Sequence, residues 1–68
     1  MTVASQVKQT LASLKSAQAS FESFALQTQN QQAKQMYQGA ASQTKNIVDT
    51  LEQRVNDIEK EEPQYKNV

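Results

Sequence analysis

Apolar residues recur every three or four positions along most of the chain, and this spacing predicts amphipathic helices rather than strands. The first stretch of the pattern contains Val3, Val7, Leu11, Leu14, Phe21, Phe24 and Ala25, with Ala17 and Gln18 in the interval. The second stretch contains Ala33, Met36, Tyr37, Ala40, Ala41, Thr44, Ile47, Val48, Leu51, Val55 and Ile58. Frequent Ala, Gln, Lys, Glu and Leu also favour helix. The sequence therefore predicts an all-α fold.

Apolar residues of the second stretch also repeat at longer range, since Ala33 and Leu51, like Ala40 and Ile58, are eighteen residues apart. Eighteen residues make about five turns of an α-helix. We therefore expect a straight apolar stripe without strong supercoiling.

The interruption between the two helices is expected at residues 27–30, which contain no large apolar side chain. Thr28 and Asn30 can each cap a helix, and Thr28 with Gln31 fits a capping box. No Gly or Pro marks the turn, so one continuous long helix is the alternative.

The outer ends of the helices have their own signals. Thr2 is a candidate cap, and Pro63 disfavours helical geometry at the residue before it. We predict a single domain over residues 1–68. It has a helix at about 2–28, a turn at about 28–30, a helix at about 30–62 and a short tail, 63–68.

A short connection makes the two helices antiparallel neighbours, so the fold is a helical hairpin. Phe21 and Phe24 then lie near Met36 and Tyr37. A layer of small residues is expected next to them, with Ala17 opposite residues 39–41. We expect the helices to pack closely at this layer; a shallow internal cavity is the alternative.

One hairpin is a small folding unit, and 68 residues seldom bury enough surface without a staple or a partner. The chain has no Cys and no His, which removes disulfides and essentially excludes zinc. Two helices touching along one line leave wide stripes partly uncovered. We expect two hairpins to pair as a homodimeric four-helix bundle, with a heteromeric partner as the alternative.

The expected oligomer interface combines side chains from both helices. Its residues are Val7, Leu11, Leu14, Gln18, Phe21, Tyr37, Ala40, Ile47, Leu51, Val55 and Ile58. Gln18 is the polar member of this set. Its side chain either extends outward to solvent or bonds across the dimer axis and fixes the register.

Seven basic and seven acidic residues give a formal net charge of zero, so we expect neither nucleic-acid binding nor a basic membrane-surface helix. Apolar runs are too short for membrane insertion, and the N-terminal residues lack a signal layout, which favours a cytoplasmic protein. Residues 1–48 carry +3 and residues 49–68 carry −3. A hairpin brings Lys8 near the acidic end of the second helix. Residues 59–65 are either a solvated face or a docking segment for a basic partner.

The sequence offers no chemistry for an enzyme. It lacks a His base, a Cys nucleophile and a glycine-rich phosphate loop, so we expect no catalytic residues and no cofactor. Carboxylate metal sites in four-helix bundles use a Glu-x-x-His motif, which this chain cannot form. Glu22 is accordingly interpreted as a surface charge, and no metal is expected.

Four segments resemble a family of small proteins from endospore-forming bacteria, the domain-of-unknown-function family numbered 1657. They are residues 7–15 (VKQTLASLK), 24–28 (FALQT), 33–37 (AKQMY) and 61–65 (EEPQY). The resemblance covers almost the whole chain. It implies a gene neighbourhood shared with spore inner-membrane channels for dipicolinic acid and with other membrane proteins. It implies no catalytic residues.

The leading interpretation is a non-enzymatic, sporulation-associated interaction or scaffold protein that binds itself, with a spore inner-membrane protein as a possible second partner. One alternative is a small spore DNA-binding protein, which the zero net charge disfavours. The other is a small-molecule carrier that uses the layer of small residues.

Overall fold

A computed structural model describes residues 3–61 of the chain. Helix α1 spans Val3–Gln27 and helix α2 spans Gln31–Glu61, and the two pack against each other. The prediction of an all-α fold with two packed helices is confirmed, and the continuous-helix alternative is wrong. Three expectations lie outside the described residues: the Thr2 cap, the helix stop before Pro63 and the tail. Most of the 59–65 segment lies outside them too.

Residues 28–30 join the helices, and side-chain hydrogen bonds define where α2 begins. The Asn30 Oδ1 atom accepts a hydrogen bond from the Ala33 backbone N–H at 2.9 Å, which makes Asn30 the N-cap of α2. The Thr28 hydroxyl accepts instead from the Asn30 backbone N–H at 3.3 Å. The capping box expected for Thr28 and Gln31 does not match this start, because Gln31 is already the first residue of α2.

The buried side chains form a single row along each helix. On α1 they are Ala4, Leu11 and Ala25, and on α2 they are Ala41, Val48 and Val55. Half-buried Gln18 and Lys34 continue the two rows at the same seven-residue interval. These two rows are called the central seam below. A seven-residue repeat is the spacing of a coiled-coil contact, not of the straight eighteen-residue stripe expected from α2.

The central seam is thin. Three of its six buried residues are alanines, and even the best-covered one, Val48, keeps 3% of its surface exposed. The Cα trace measures 49 × 18 × 12 Å, so the hairpin is one layer of helices. Domains usually need two packed layers to enclose a core. The described part of the hairpin lacks the second layer.

Gly39 is exposed in the middle of α2, and a Cβ atom built on it meets nothing within 4 Å. It does not face α1 as a small residue of a tight layer, and that expectation is wrong for Gly39. Ala41 is buried and Ala40 is half-buried, so the small residues 39–41 divide among three environments. They do not form one layer.

Gly39→Ala is expected to stabilise the protein by about 0.5–1 kcal/mol, because alanine removes the entropic cost of a mid-helix glycine without a steric clash. Urea midpoints measured at one protein concentration test this. Ala12→Gly, an exposed position in α1, is the matched control and should have a similar effect of opposite sign. A lower midpoint for Gly39→Ala would contradict the open environment of this glycine.

Leu11→Ala is expected to cost about 2–5 kcal/mol, because Leu11 is the largest side chain buried in the central seam and its loss leaves a cavity. Leu26→Ala is the control. Leu26 is 83% exposed, and its truncation should change the free energy of unfolding by less than about 0.5 kcal/mol. Equal effects in denaturant titrations would mean that the central seam is assigned to the wrong row.

Candidate association surface

A row of mostly charged side chains runs along one side of the central seam. We call it the charged edge; its members are Lys8, Lys15, Glu22, Gln38, Lys45, Glu52 and Glu59. Lys8 pairs with Glu59, and the Lys15 Nζ atom lies 2.6 Å from Glu52 Oε2. The predicted proximity of Lys8 to the acidic end of the second helix is confirmed. Both ion pairs join α1 to α2.

These ion pairs define register more than they add stability. The side chains of Lys15 and Glu52 are 53% and 41% exposed, and exposed pairs contribute about 0.2–1 kcal/mol. Both pairs step by seven residues on each helix, in step with the central seam. Sliding one helix by a turn would break both pairs together.

Glu22 and Lys45 continue the charged edge towards the turn, but each bonds within its own helix. The Gln18 Nε2 atom donates to Glu22 Oε2 at 3.3 Å. Lys45 Nζ donates to Asp49 Oδ2 at 2.8 Å, and this hydrogen bond raises the pKa of Lys45 above its ordinary value. Glu22 is exposed, as its interpretation as a surface charge requires.

An open groove of about 440 Å³ lies between the helices on the charged-edge side, near the turn. Its lining residues are Gln18, Glu22, Ala25, Leu26, Lys34, Gln38, Ala41, Ser42 and Lys45. The groove combines two lysines with one carboxylate and two side-chain amides. Within residues 3–61, no group of three acidic, His or Cys side chains is placed to hold a metal ion.

The opposite side of the hairpin is apolar. We call it the apolar face, and it consists of two rows on each helix. The rows contain Val3, Val7, Thr10, Leu14, Ala17, Phe21 and Phe24 on α1, and Ala33, Tyr37, Ala40, Thr44, Ile47, Leu51, Arg54 and Ile58 on α2. No residue of the apolar face is buried. Val3, Phe24 and Ile47 are 74%, 45% and 51% exposed.

Three aromatic rings pack together at the turn end of the apolar face. The Phe21 and Phe24 ring centroids are 6.4 Å apart with planes at 78°, and the Phe24 and Tyr37 centroids are 5.4 Å apart at 62°. Edge-to-face contacts of this kind are favourable, because the positive edge of one ring meets the negative face of another. The expected meeting of Phe24 with Tyr37 is confirmed. Met36, expected in the same group, is 62% exposed.

The polar atoms of two threonines on the apolar face are satisfied within their own helices. Thr10 Oγ1 donates to the Gln6 carbonyl at 3.0 Å, and Thr44 Oγ1 donates to the Ala40 carbonyl at 2.7 Å. Covering these residues therefore leaves neither hydroxyl without a partner. Arg54 is the only charged residue of the apolar face.

The residues expected at an oligomer interface divide between the two sides of the hairpin. Val7, Leu14, Phe21, Tyr37, Ala40, Ile47, Leu51 and Ile58 lie on the apolar face. Leu11 and Val55 are buried in the central seam of one chain. Gln18 is half-buried, bonds to Glu22 and lines the groove, on the side away from the apolar face.

Sequence reasoning missed two features of these surfaces. Phe24 was expected only to pack against α2, whereas its ring is also a large exposed part of the apolar face. The charged edge was recognised only as a mild attraction involving Lys8. The sequence does contain a signal for the charged edge, because Lys8, Lys15 and Glu22 follow one another at intervals of seven residues.

The fold and its surfaces define the class of protein: a two-helix hairpin of coiled-coil type with one uncovered apolar face. In residues 3–61, neither helix has the length and apolar character needed to cross a membrane. The chain belongs to the family described as "Protein of unknown function (DUF1657)", whose sequence model matches residues 7–55. This match confirms the resemblance to that family over residues 7–55, which contain three of the four resembling segments. No curated protein and no solved structure matches the chain.

Exchanging the charges of one ion pair tests the register. Lys15→Glu and Glu52→Lys should each destabilise the hairpin by placing like charges together, whereas the double variant should recover most of the loss. Each single effect is expected near 1 kcal/mol at low salt and should shrink as salt is added. Thermal melts at two salt concentrations measure this. Additive losses in the double variant would exclude the pairing.

Proposed function

We propose that this protein is a non-enzymatic interaction protein whose apolar face binds a second copy of the chain. Two hairpins packed face to face form a homodimeric four-helix bundle. Each contributes its single layer of helices, and the pair then has the two layers that a closed core requires.

The observation that carries this proposal is the uncovered apolar face. Fourteen of its fifteen residues are uncharged, and its two threonines need no polar partner. Large exposed apolar patches rimmed by polar residues mark interaction surfaces. Burial is expected to contribute roughly 1.5–3 kcal/mol for each large side chain that passes fully from water into a core.

The dimensions of the hairpin suit a dimer. The hairpin is 49 Å long and 18 Å wide. A face of that size measures about 900 Å², near the roughly 800 Å² per partner of a standard stable interface. The charged edge and the groove remain on the outside of such a dimer, where their charges stay hydrated.

The biological setting is proposed from the family resemblance. We infer a role in the cytoplasm of the sporulating cell or the spore, as an accessory or scaffold protein. A spore inner-membrane protein is the proposed second partner. A dimer would present two charged edges to such a partner, since self-association uses the opposite side of each hairpin.

The groove supports a second candidate function, the binding of a small molecule. Its volume of about 440 Å³ falls in the range of ligand pockets. It lies beside the charged edge rather than in a layer of small residues, and Ala25, Leu26 and Ala41 give it an apolar part. A ligand there would therefore combine an apolar body with a group that Lys34 or Lys45 can bind. A ligand that raises the melting temperature, with the effect abolished by Lys34→Ala, would support this function. DNA binding has no comparable feature in its favour.

Ile47→Glu tests self-association. The wild-type protein is expected to scatter light with twice the 7.6 kDa mass of one chain at micromolar concentration. A carboxylate at Ile47 would be desolvated in the interface, so this variant should shift towards monomer and lose helicity on dilution. Leu26→Glu is the matched control, since Leu26 lies outside the apolar face. A wild-type protein that remains a folded monomer would defeat the proposal.

A further inference from the structure

We propose that the two copies lie head to tail, with the turn of one hairpin beside the open end of the other. In this arrangement α1 packs against α1 of the second copy and α2 packs against α2. The inference rests on the self-association proposed above and adds the orientation of the partner.

The two rows of the apolar face on each helix mesh in this orientation. Within a helix the rows alternate at steps of three and four residues, as the core positions of a coiled coil do. In an antiparallel coiled coil, a residue from one row of the first helix lies level with a residue from the other row of the second helix. Matching the helices over their full length therefore pairs Leu14 with Ala17 of the second copy, and Val7 with Phe24.

The same match on α2 also joins unlike sizes. Leu51 lies level with Ala40 of the second copy, and Ile58 lies level with Ala33. Large side chains opposite small ones fill a core at even density, without voids or overpacking. Each alanine of the apolar face thus leaves space that a large side chain of the other copy fills.

One two-fold axis serves both helix pairs. On α1 the axis passes midway between Leu14 and Ala17, and on α2 midway between Thr44 and Ile47. Phe24 and Tyr37 are in ring contact, so they lie at about the same height along the hairpin. The midpoint on α1 precedes Phe24 by the same number of residues as the midpoint on α2 follows Tyr37. The two midpoints therefore also lie at about the same height. The register within one hairpin and the register between hairpins are therefore compatible. A two-fold dimer requires that agreement.

Arg54, the one charge on the apolar face, also finds a partner in this orientation. It lies level with Tyr37 of the second copy, at the edge of the aromatic group. A guanidinium over an aromatic ring is a favourable contact, and the aliphatic part of Arg54 can cover the face.

The end-matched alternative, with both turns together, distributes the side chains unevenly. Phe24 of one copy then lies level with Tyr37 of the other, and Leu14 with Ile47. Ala17 lies level with Thr44, and the layer between this one and the aromatic layer joins Phe21 with Ala40. The core therefore contains one layer of four aromatic rings and another of four small side chains. Such a core overpacks some layers and leaves gaps in others, and both defects are destabilising.

Distances between spin labels test the orientation. The chain has no native Cys, so Gln29→Cys, exposed in the turn, gives one label per chain. Head-to-tail packing should separate the two labels by about the 49 Å length of the hairpin. End-matched packing should bring them within about 20 Å, roughly two helix spacings. A label at Ser16, exposed near the middle of α1, is the control because its separation barely depends on orientation.

The possible outcomes distinguish a failure of the proposed orientation from a failure of the proposed self-association. The long separation at Gln29, with dipolar coupling at Ser16, supports the head-to-tail dimer. A short separation, or a mixture of both, overturns the orientation while self-association stands. Absence of coupling at both labels overturns self-association itself.

A compensating pair of substitutions gives an independent check. Ala40→Leu and Leu51→Ala should each raise the Kd of the dimer at least about tenfold, because each spoils the same layer. Head to tail, the double variant exchanges large for small within that layer and should recover most of the affinity. Losses that simply add in the double variant contradict the proposed layer.

Discussion

The constraint on which this structure depends is that one layer of helices has no interior. Two helices meet along a line, and the central seam they make buries six side chains, of which three are alanines. Ordering the backbone costs about 1–2 kcal/mol for each residue. A seam of this size offsets little of that cost. The apolar face on the other side of the hairpin leaves further large side chains exposed, among them Phe24 and Ile47, and covering it would add the burial that the seam lacks.

Charge and apolarity are separated on the two sides of the hairpin with little overlap. All three charged residues described on α1 belong to the charged edge, where Lys8 and Lys15 reach Glu59 and Glu52. Exposed pairs of this kind act mainly by making other registers worse. They hold the helices in the register that places the two halves of the apolar face side by side. Weak surface interactions thereby determine the shape of the larger hydrophobic surface.

Much of the fold was predictable because it follows from local rules. The three- and four-residue spacing predicted two packed helices, and Asn30 was a recognised candidate for the cap that the structure assigns to it. Which apolar row faces inward was not predictable. Leu11 and Leu14 have similar spacing and hydrophobicity, yet only Leu11 is buried. Periodicity locates an apolar stripe, whereas the rotation of each helix about its axis decides which part of the stripe is covered. Gly39 illustrates the same point, since its small size suggested a close contact and its position on α2 turns it to solvent.

The central seam has one more consequence, which concerns domain swapping. Its residues repeat every seven positions within each helix, but Ala25 and Lys34, on either side of the turn, are nine positions apart. If the turn straightened into one long helix, those two extra residues would rotate the second half of the seam by about 200° relative to the first. The two halves would then face opposite directions, and no single neighbouring helix would cover both. This change in the angular position of the seam at the turn therefore favours the closed hairpin over an extended form in which two chains exchange helices. It does so although the turn contains neither glycine nor proline.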